Sequence, residues 1–173
     1  NWEYCFLRRW LNETFYNEVF NDLQKEIIKT TRLDNSARSC NPDEYPTYYP
    51  NTYSSQNKPG ENKYASQCKD TDDKIFLLSL RDITTTAYGF NKDVRAKDPA
   101  RNLQATDFAK FRGAPMDIYE EKYVTWYTRS PSIGSRGGND GYSTFVLDRH
   151  AKGAIDSTDL IPDGGVVPAL WIT

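Results

Sequence analysis

Apolar residues recur at every fourth position near the start of this chain, at Leu7, Leu11, Phe15 and Val19 with Trp10 beside them. That is the stripe a helix presents to a core. Leu23, Ile27 and Ile28 resume the stripe after a break, and Asn21 followed by Gln24 has the residues of a capping box. A second helix is therefore predicted to start there and end near Lys29. Thr30, Thr31 and Arg32 read as a short strand. The pattern then changes. Pro42, Pro46, Pro50, Pro59 and Gly60 interrupt a run of Asn, Ser, Tyr, Thr and Gln with hardly any aliphatic residue. Residues 34–73 are read as a long polar surface loop, part of which packs down through Tyr45, Tyr48, Tyr49, Tyr53 and Tyr64.

The continuous apolar run from Lys74 to Ser79 has the make-up of a strand covered on both faces. Ser79 is placed to cap a helix over Leu80–Ala87 that Gly89 ends, and Thr106 to cap another carrying Phe108, Ala109 and Phe111 before Gly113. Strands are predicted over Tyr123–Thr128, Thr144–Arg149, Ala154–Ser157 and Val166–Ile172. Helices first and antiparallel strands last is the order of an α+β fold, with N-terminal helices packed on a mostly antiparallel sheet with long loops. A chain of 173 residues suits one domain over 1–173. Trp10 and Trp171 are placed in its core by their apolar neighbours.

Charge and composition narrow the function classes. A net charge of −2 with scattered Lys and Arg gives no basic field for nucleic acid, and no apolar run is long enough for membrane insertion. Four Trp, twelve Tyr and eight Phe stand against a single Met and a single His. Tyr and Trp combine apolar area with a polar tip, which suits recognition of a glycan or protein ligand at an extracellular or cell-surface location. Among the three cysteines, Cys40 and Cys68 bracket the polar loop and form a disulfide if the compartment is oxidising, with Cys5 as a buried thiol. The other reading is three unpaired thiols in a reduced protein.

The block Trp126-Tyr127-Thr128-Arg129-Ser130-Pro131 is answered by Gly164-Gly165-Val166-Val167-Pro168-Ala169-Leu170-Trp171-Ile172. Trp126, Arg129, Pro131, Pro168 and Trp171 are read as a structural motif: a buried sheet carrying one fixed polar group. Arg129 in this setting stacks on Trp126 or Tyr127 and donates to a carboxylate or to loop carbonyls. The functional alternative puts Arg129 under a groove rimmed by residues 133–142, with Ser135, Arg136, Asn139, Asp140 and Tyr142 reaching a ligand. No catalytic residue is assigned. His150 lacks a marked nucleophile partner, and Asp117, Glu120 and Glu121 are read as a solvated acidic turn rather than a glycosidase pair. No cofactor or metal is expected. The alternative is calcium, which takes oxygen ligands such as Asp70, Asp72 and Asp73, or Asn139, Asp140 and Asp148, against a reading in which Asp72 or Asp73 caps a turn.

Four stretches carry a family resemblance: Trp2 to Tyr16, Asp73 to Ser79, Trp126 to Pro131, and Pro168 to Ile172. In this order they resemble the DUF6273 family of bacterial proteins. The resemblance implies a C-type-lectin-like fold, shared with sulfatase-modifying factors, inside larger and often surface-associated proteins of gut and other Firmicutes, so other domains of a longer parent protein are expected partners. It implies a fold more than an activity. An oxidase of the formylglycine-generating kind needs closely placed cysteines late in the chain, whereas Cys5, Cys40 and Cys68 all precede the sheet. Two positions depart from the family pattern. Val167 stands where members usually show Arg, and Thr128 where they usually show Leu. Members also carry strand-like sequence ahead of the opening tryptophan, so the first strands are expected to be missing. The expected role is a non-catalytic ligand-binding or adhesion module; the alternatives are a hydrolase or oxidoreductase of hidden chemistry, and a structural spacer.

Overall fold

The computed structural model describes residues 2–36, 39, 68–93, 96–114, 116, 123–132, 142–146, 155–157 and 165–173, with backbone alone for 131, 132, 142–146 and 155–157. Helix α1 (Phe6–Trp10), a π-helical stretch (Leu11–Phe15) and α2 (Tyr16–Val19) follow one another directly. The Tyr16 N–H donates to the carbonyl of Leu11, five residues back, so this turn holds one residue more than an α turn. The buried face slips accordingly. Leu11 and Tyr16 are buried, Phe15 is half-buried, and Val19 is exposed. Trp10, expected in the core, lies at the surface instead, its ring 5.4 Å from that of Phe15, while the next residue, Leu11, takes the buried position.

Helix α3 (Asp22–Ile27) starts on the predicted capping box: Gln24 N–H donates to Asn21 Oδ1 at 2.9 Å and Asn21 N–H to Gln24 Oε1 at 3.0 Å. Strand β1 (Thr31–Leu33) then pairs antiparallel with β2 (Thr71–Asp73), Arg32 opposite Asp72. β2 falls inside the range read as loop. Its Thr-Asp-Asp sequence has no strand signature; inward bonds of Asp73, described below, hold it in place. Most of residues 34–73 lie outside the described residues.

Ile75, Phe76 and Leu77 are buried as their apolar run predicts, but the segment joins no ladder. It touches neighbours on each side at single residues. Phe76 exchanges backbone bonds with Ala169 at 3.0 and 2.7 Å, and Leu78 accepts from Arg129 N–H at 3.0 Å. The Asn12 side chain also clasps it, donating to Ile75 O at 2.8 Å and accepting from Lys74 N–H at 2.7 Å.

Ser79 and Asp82 cap each other, with Asp82 N–H to Ser79 Oγ at 3.1 Å and Ser79 N–H to Asp82 Oδ2 at 2.7 Å. The helix predicted after Ser79 is instead two 3₁₀ turns, Asp82–Thr84 and Thr86–Tyr88. Three successive β-branched threonines explain the shortfall: the Thr84 and Thr85 hydroxyls bond the carbonyls of Leu80 and Arg81, competing with helical bonds. Gly89 closes the turn at φ +87°. A third 3₁₀ turn covers Pro99–Arg101, and α4 (Asp107–Phe111) begins on the Thr106 cap as predicted.

Strands β3 (Trp126–Ser132), β4 (Tyr142–Val146) and β5 (Ile155–Ser157) form an antiparallel sheet in that order. β3 runs through Pro131 with a register irregularity between Tyr127 and Pro131, the kind of place a strand tolerates proline. The predicted closing strand is a connecting segment. It bridges Trp126 through Gly165, Phe76 through Ala169 and Ile28 through Ile172.

Two apolar clusters result. One gathers Trp2, Leu11, Tyr16, Ile28, Leu33, Ile75, Phe76 and Leu77, with Leu7, Tyr127 and Leu170 against it; the other gathers Leu80, Ile83 and Trp126, with Val167 against it. Trp126 and Tyr127, adjacent on β3, belong to different clusters, so this strand separates them. Leu78 packs on both. The described residues make a mixed helix and strand fold whose first core joins residues from both ends of the chain.

Candidate functional site

Along β3, Trp126, Thr128 and Ser130 are buried while Tyr127 and Arg129 alternate to the other face. Arg129 Nη1 donates to Asp82 Oδ2 at 2.7 Å and to Leu77 O at 2.8 Å, and Nη2 reaches Asp34 O at 3.5 Å. The guanidinium carbon lies 6.0 Å from the Phe76 ring centre. Arg129 thus meets a carboxylate and carbonyls, but the ring it lies over is Phe76, from a neighbouring segment, where Trp126 or Tyr127 of its own strand was expected. Its side chain is only 5% exposed and its Nε, buried, has no hydrogen-bond partner among the described residues. Asp82 Oδ2 serves both Arg129 and the Ser79 N–H, so one oxygen joins β3 to the 3₁₀ turn.

Next to it, Asp34 lies 3.8 Å from Arg81 Nη1. Burial pushes the Asp34 carboxyl up, but hydrogen bonds from the Ser36 hydroxyl and N–H and the charges of Arg81 and Arg129 outweigh this and hold it below the usual carboxylate range. Ser130 Oγ accepts from Leu80 N–H at 2.9 Å and donates to Ser39 O at 3.3 Å. These bonds tie the start of the 34–73 range, at Asp34 and Ser39, to β3.

A second polar centre forms at Asp73, read from the sequence as a calcium ligand or a turn cap. Asp73, 1% exposed, accepts from Trp2 Nε1 at 2.9 Å, Thr71 Oγ1 at 2.8 Å and Arg8 Nε at 2.8 Å. A third escaped sequence reasoning. Arg101 is 1% exposed and donates to the carbonyls of Ile83, Asp93, Ala96 and Asn91. Burial lowers its proton affinity, opposed by Asp98 and Asp93, and an arginine stays charged under such pressure. The Asp98-Pro99 pair ahead of it, with Asp98 Oδ1 accepting from Ala100 N–H, was the available signal: a helix-start sequence three residues before a charged residue.

Of the proposed ligand contacts, Ser135, Arg136, Asn139 and Asp140 lie outside the described residues, and Tyr142 is described by its backbone pairing with Ser132, at the end of the β3–β4 pair where the chain passes from one strand to the other. Cys40 is also outside, and with it the Cys40–Cys68 pairing; Cys5 and Cys68 both pack against the first core. His150, Asp117, Glu120, Glu121, Asn139 and Asp148 are outside too. The remaining calcium candidates diverge on β2. Asp73 points inward, while Asp72 is exposed and pairs with Arg32 at 2.9 Å. Asp70 Oδ1 accepts from Asn35 N–H at 3.2 Å. Among the described residues no three His, Cys, Asp or Glu side chains gather as a metal group, and no helix is long and apolar enough to cross a membrane.

Within the motif block, Trp126 is 2% exposed and donates its indole N–H to Arg101 O at 3.1 Å. Val167, where an arginine was the expected family residue, packs on the second apolar cluster instead. Pro168 is exposed. Trp171 is not a core residue: it is 45% exposed, because the closing segment contacts its neighbours one residue at a time, and its ring lies 5.5 Å from that of Tyr88.

These features define a mixed α and β fold whose described charged centres bond inward to its own side chains and backbone. The chain belongs to the DUF6273 family, a domain of unknown function, whose model matches residues 1–173. No curated protein and no solved structure matches it.

Proposed function

We propose that this domain is a non-catalytic recognition or adhesion module on a C-type-lectin-like fold, part of a larger surface or secreted bacterial protein, that binds a glycan or protein ligand. The observation that carries the reading is how Arg129 is used. The one arginine of the Trp126–Pro131 block is committed to Asp82, Leu77 O and Asp34 O, with no open face for a reacting group. Asp73 and Arg101 are committed in the same way. Fixed centres of this kind make a rigid frame, and recognition then falls to surface side chains and loops. Helices ahead of an antiparallel β3–β4–β5 sheet support the fold proposal.

A glycan array probed with the domain, with and without calcium, followed by chromatography of the retained glycans, tests this. Reversible retention without product is expected. Cleaved or oxidised glycan would overturn the non-catalytic reading.

A further inference from the structure

We infer that Tyr88 and Trp171 form a saccharide-stacking site, a location that rests on the recognition reading and adds the ligand class and the contact residues. The rings sit 5.5 Å apart at an interplanar angle of 59°, and are 49% and 45% exposed. One ring therefore offers a face and the other a wall beside it. Both come from backbone held in place. Tyr88 N–H bonds Thr85 O at 3.1 Å in the turn closed by Gly89, while Trp171 O accepts from Lys29 N–H at 2.8 Å and Thr173 N–H donates to Ile27 O at 2.9 Å.

Polar tips distinguish this pair from the buried tryptophans. Trp2 and Trp126 direct their indole N–H groups inward, to Asp73 and to Arg101 O. Among the described residues neither the Tyr88 hydroxyl nor the Trp171 N–H has a hydrogen-bond partner. A saccharide ring matches this combination, since its C–H face packs on an aromatic face while its hydroxyls take the donors at the edge. Beside the Ile28–Ile172 bridge, the Lys29 N–H bond to Trp171 O makes Lys29 a backbone neighbour of Trp171. Two rings beside a lysine fall well short of the roughly 800 Å² per partner of a stable protein interface. A small glycan is therefore the ligand class assigned to the pair.

The test uses the whole chain and an array of glucose, galactose and N-acetylglucosamine with their β-linked oligomers. Wild type is expected to retain at least one class, and Trp171→Ala and Tyr88→Ala each to weaken it about tenfold, the weight of one lost aromatic stack. Phe108→Ala, which removes an exposed ring elsewhere, should bind as wild type does. To separate a lost contact from a lost fold, Trp171→Phe supplies a second readout. Saccharide should shift the tryptophan emission of wild type, and this shift should vanish in Trp171→Phe. Retention of no saccharide by wild type, retention unchanged in both alanine variants, or an emission shift that persists in Trp171→Phe would overturn the site. Retention that ignores the ring variants leaves the recognition reading standing, which only turnover of glycan removes.

Discussion

The indole N–H of Trp2 donates to the carboxylate of Asp73 over 2.9 Å, across 71 positions of sequence. With Arg8 on the other oxygen and Thr71 beside it, this bond fastens the start of the chain to β2 and to the first apolar cluster. A buried carboxylate is tolerated because its oxygens meet donors and an opposite charge. The same arrangement leaves no oxygen of Asp73 for a metal ion.

Asp73→Asn should therefore destabilise strongly. The amide cannot accept from Arg8 as the carboxylate does, and removing one member of a buried ion pair costs about 3 kcal/mol or more. Trp2→Phe, which removes one donor and keeps the ring, should cost about 1 kcal/mol. Urea unfolding of both variants checks the order. Equal losses would mean that ring packing, rather than the carboxylate, anchors the first residues.

Much of this local structure was legible in the sequence, at specific places. The Asn21–Gln24 box, the Thr106 cap and the Gly89 and Gly113 stops depend on residues a few positions apart, and all four appear where expected. The helical stripe failed at Val19 because a π turn slips the face by one residue, which a fixed spacing cannot anticipate. Tertiary contacts also decide the tryptophans: Trp2, which local sequence did not place, is buried against a carboxylate 71 residues away, and Trp171, expected in the core, is exposed because its segment makes isolated bridges. Arg129 was readable as a fixed arginine, but its partner Asp82 and the ring of Phe76 are set by tertiary packing. The buried Arg101 left only the faint Asp98-Pro99 signal.

Two glycines separate conformational strain from crowding. At Gly89, with φ +87°, an added Cβ meets nothing within 4 Å, whereas at Gly165 it would lie 3.0 Å from Thr125 O and 3.5 Å from Trp126 Cβ. Gly89→Ala should cost about 1 kcal/mol through backbone preference alone. Gly165→Ala must push the closing segment off β3 and should cost more, with the near-ultraviolet circular dichroism of Trp126 altered. A Gly165→Ala variant as stable as wild type, with an unchanged spectrum, would show that the segment yields freely.

Asp34 gives the fold an acid-sensitive contribution. Its folded-state affinity for protons is below the ordinary carboxylate value of 3.8, so its stabilisation is complete above that value and is lost as pH falls through the lower folded one. Asp34→Asn should be less stable than wild type at neutral pH. The gap should close on acidification below 3.8. Urea midpoints of both proteins across that range measure it, and a gap independent of pH would assign the effect to the Ser36 turn geometry instead.

Arg129 holds the fold together through Asp82, and a double-mutant cycle of thermal unfolding on Arg129→Ala, Asp82→Ala and the pair measures this. Arg129 is 5% exposed and Asp82 21%, so each single change should cost about 2 to 4 kcal/mol, with a coupling of at least about 1 kcal/mol between them. Single variants that melt with wild type while losing a bound ligand would contradict it, and would move Arg129 from the frame of the domain into its binding surface.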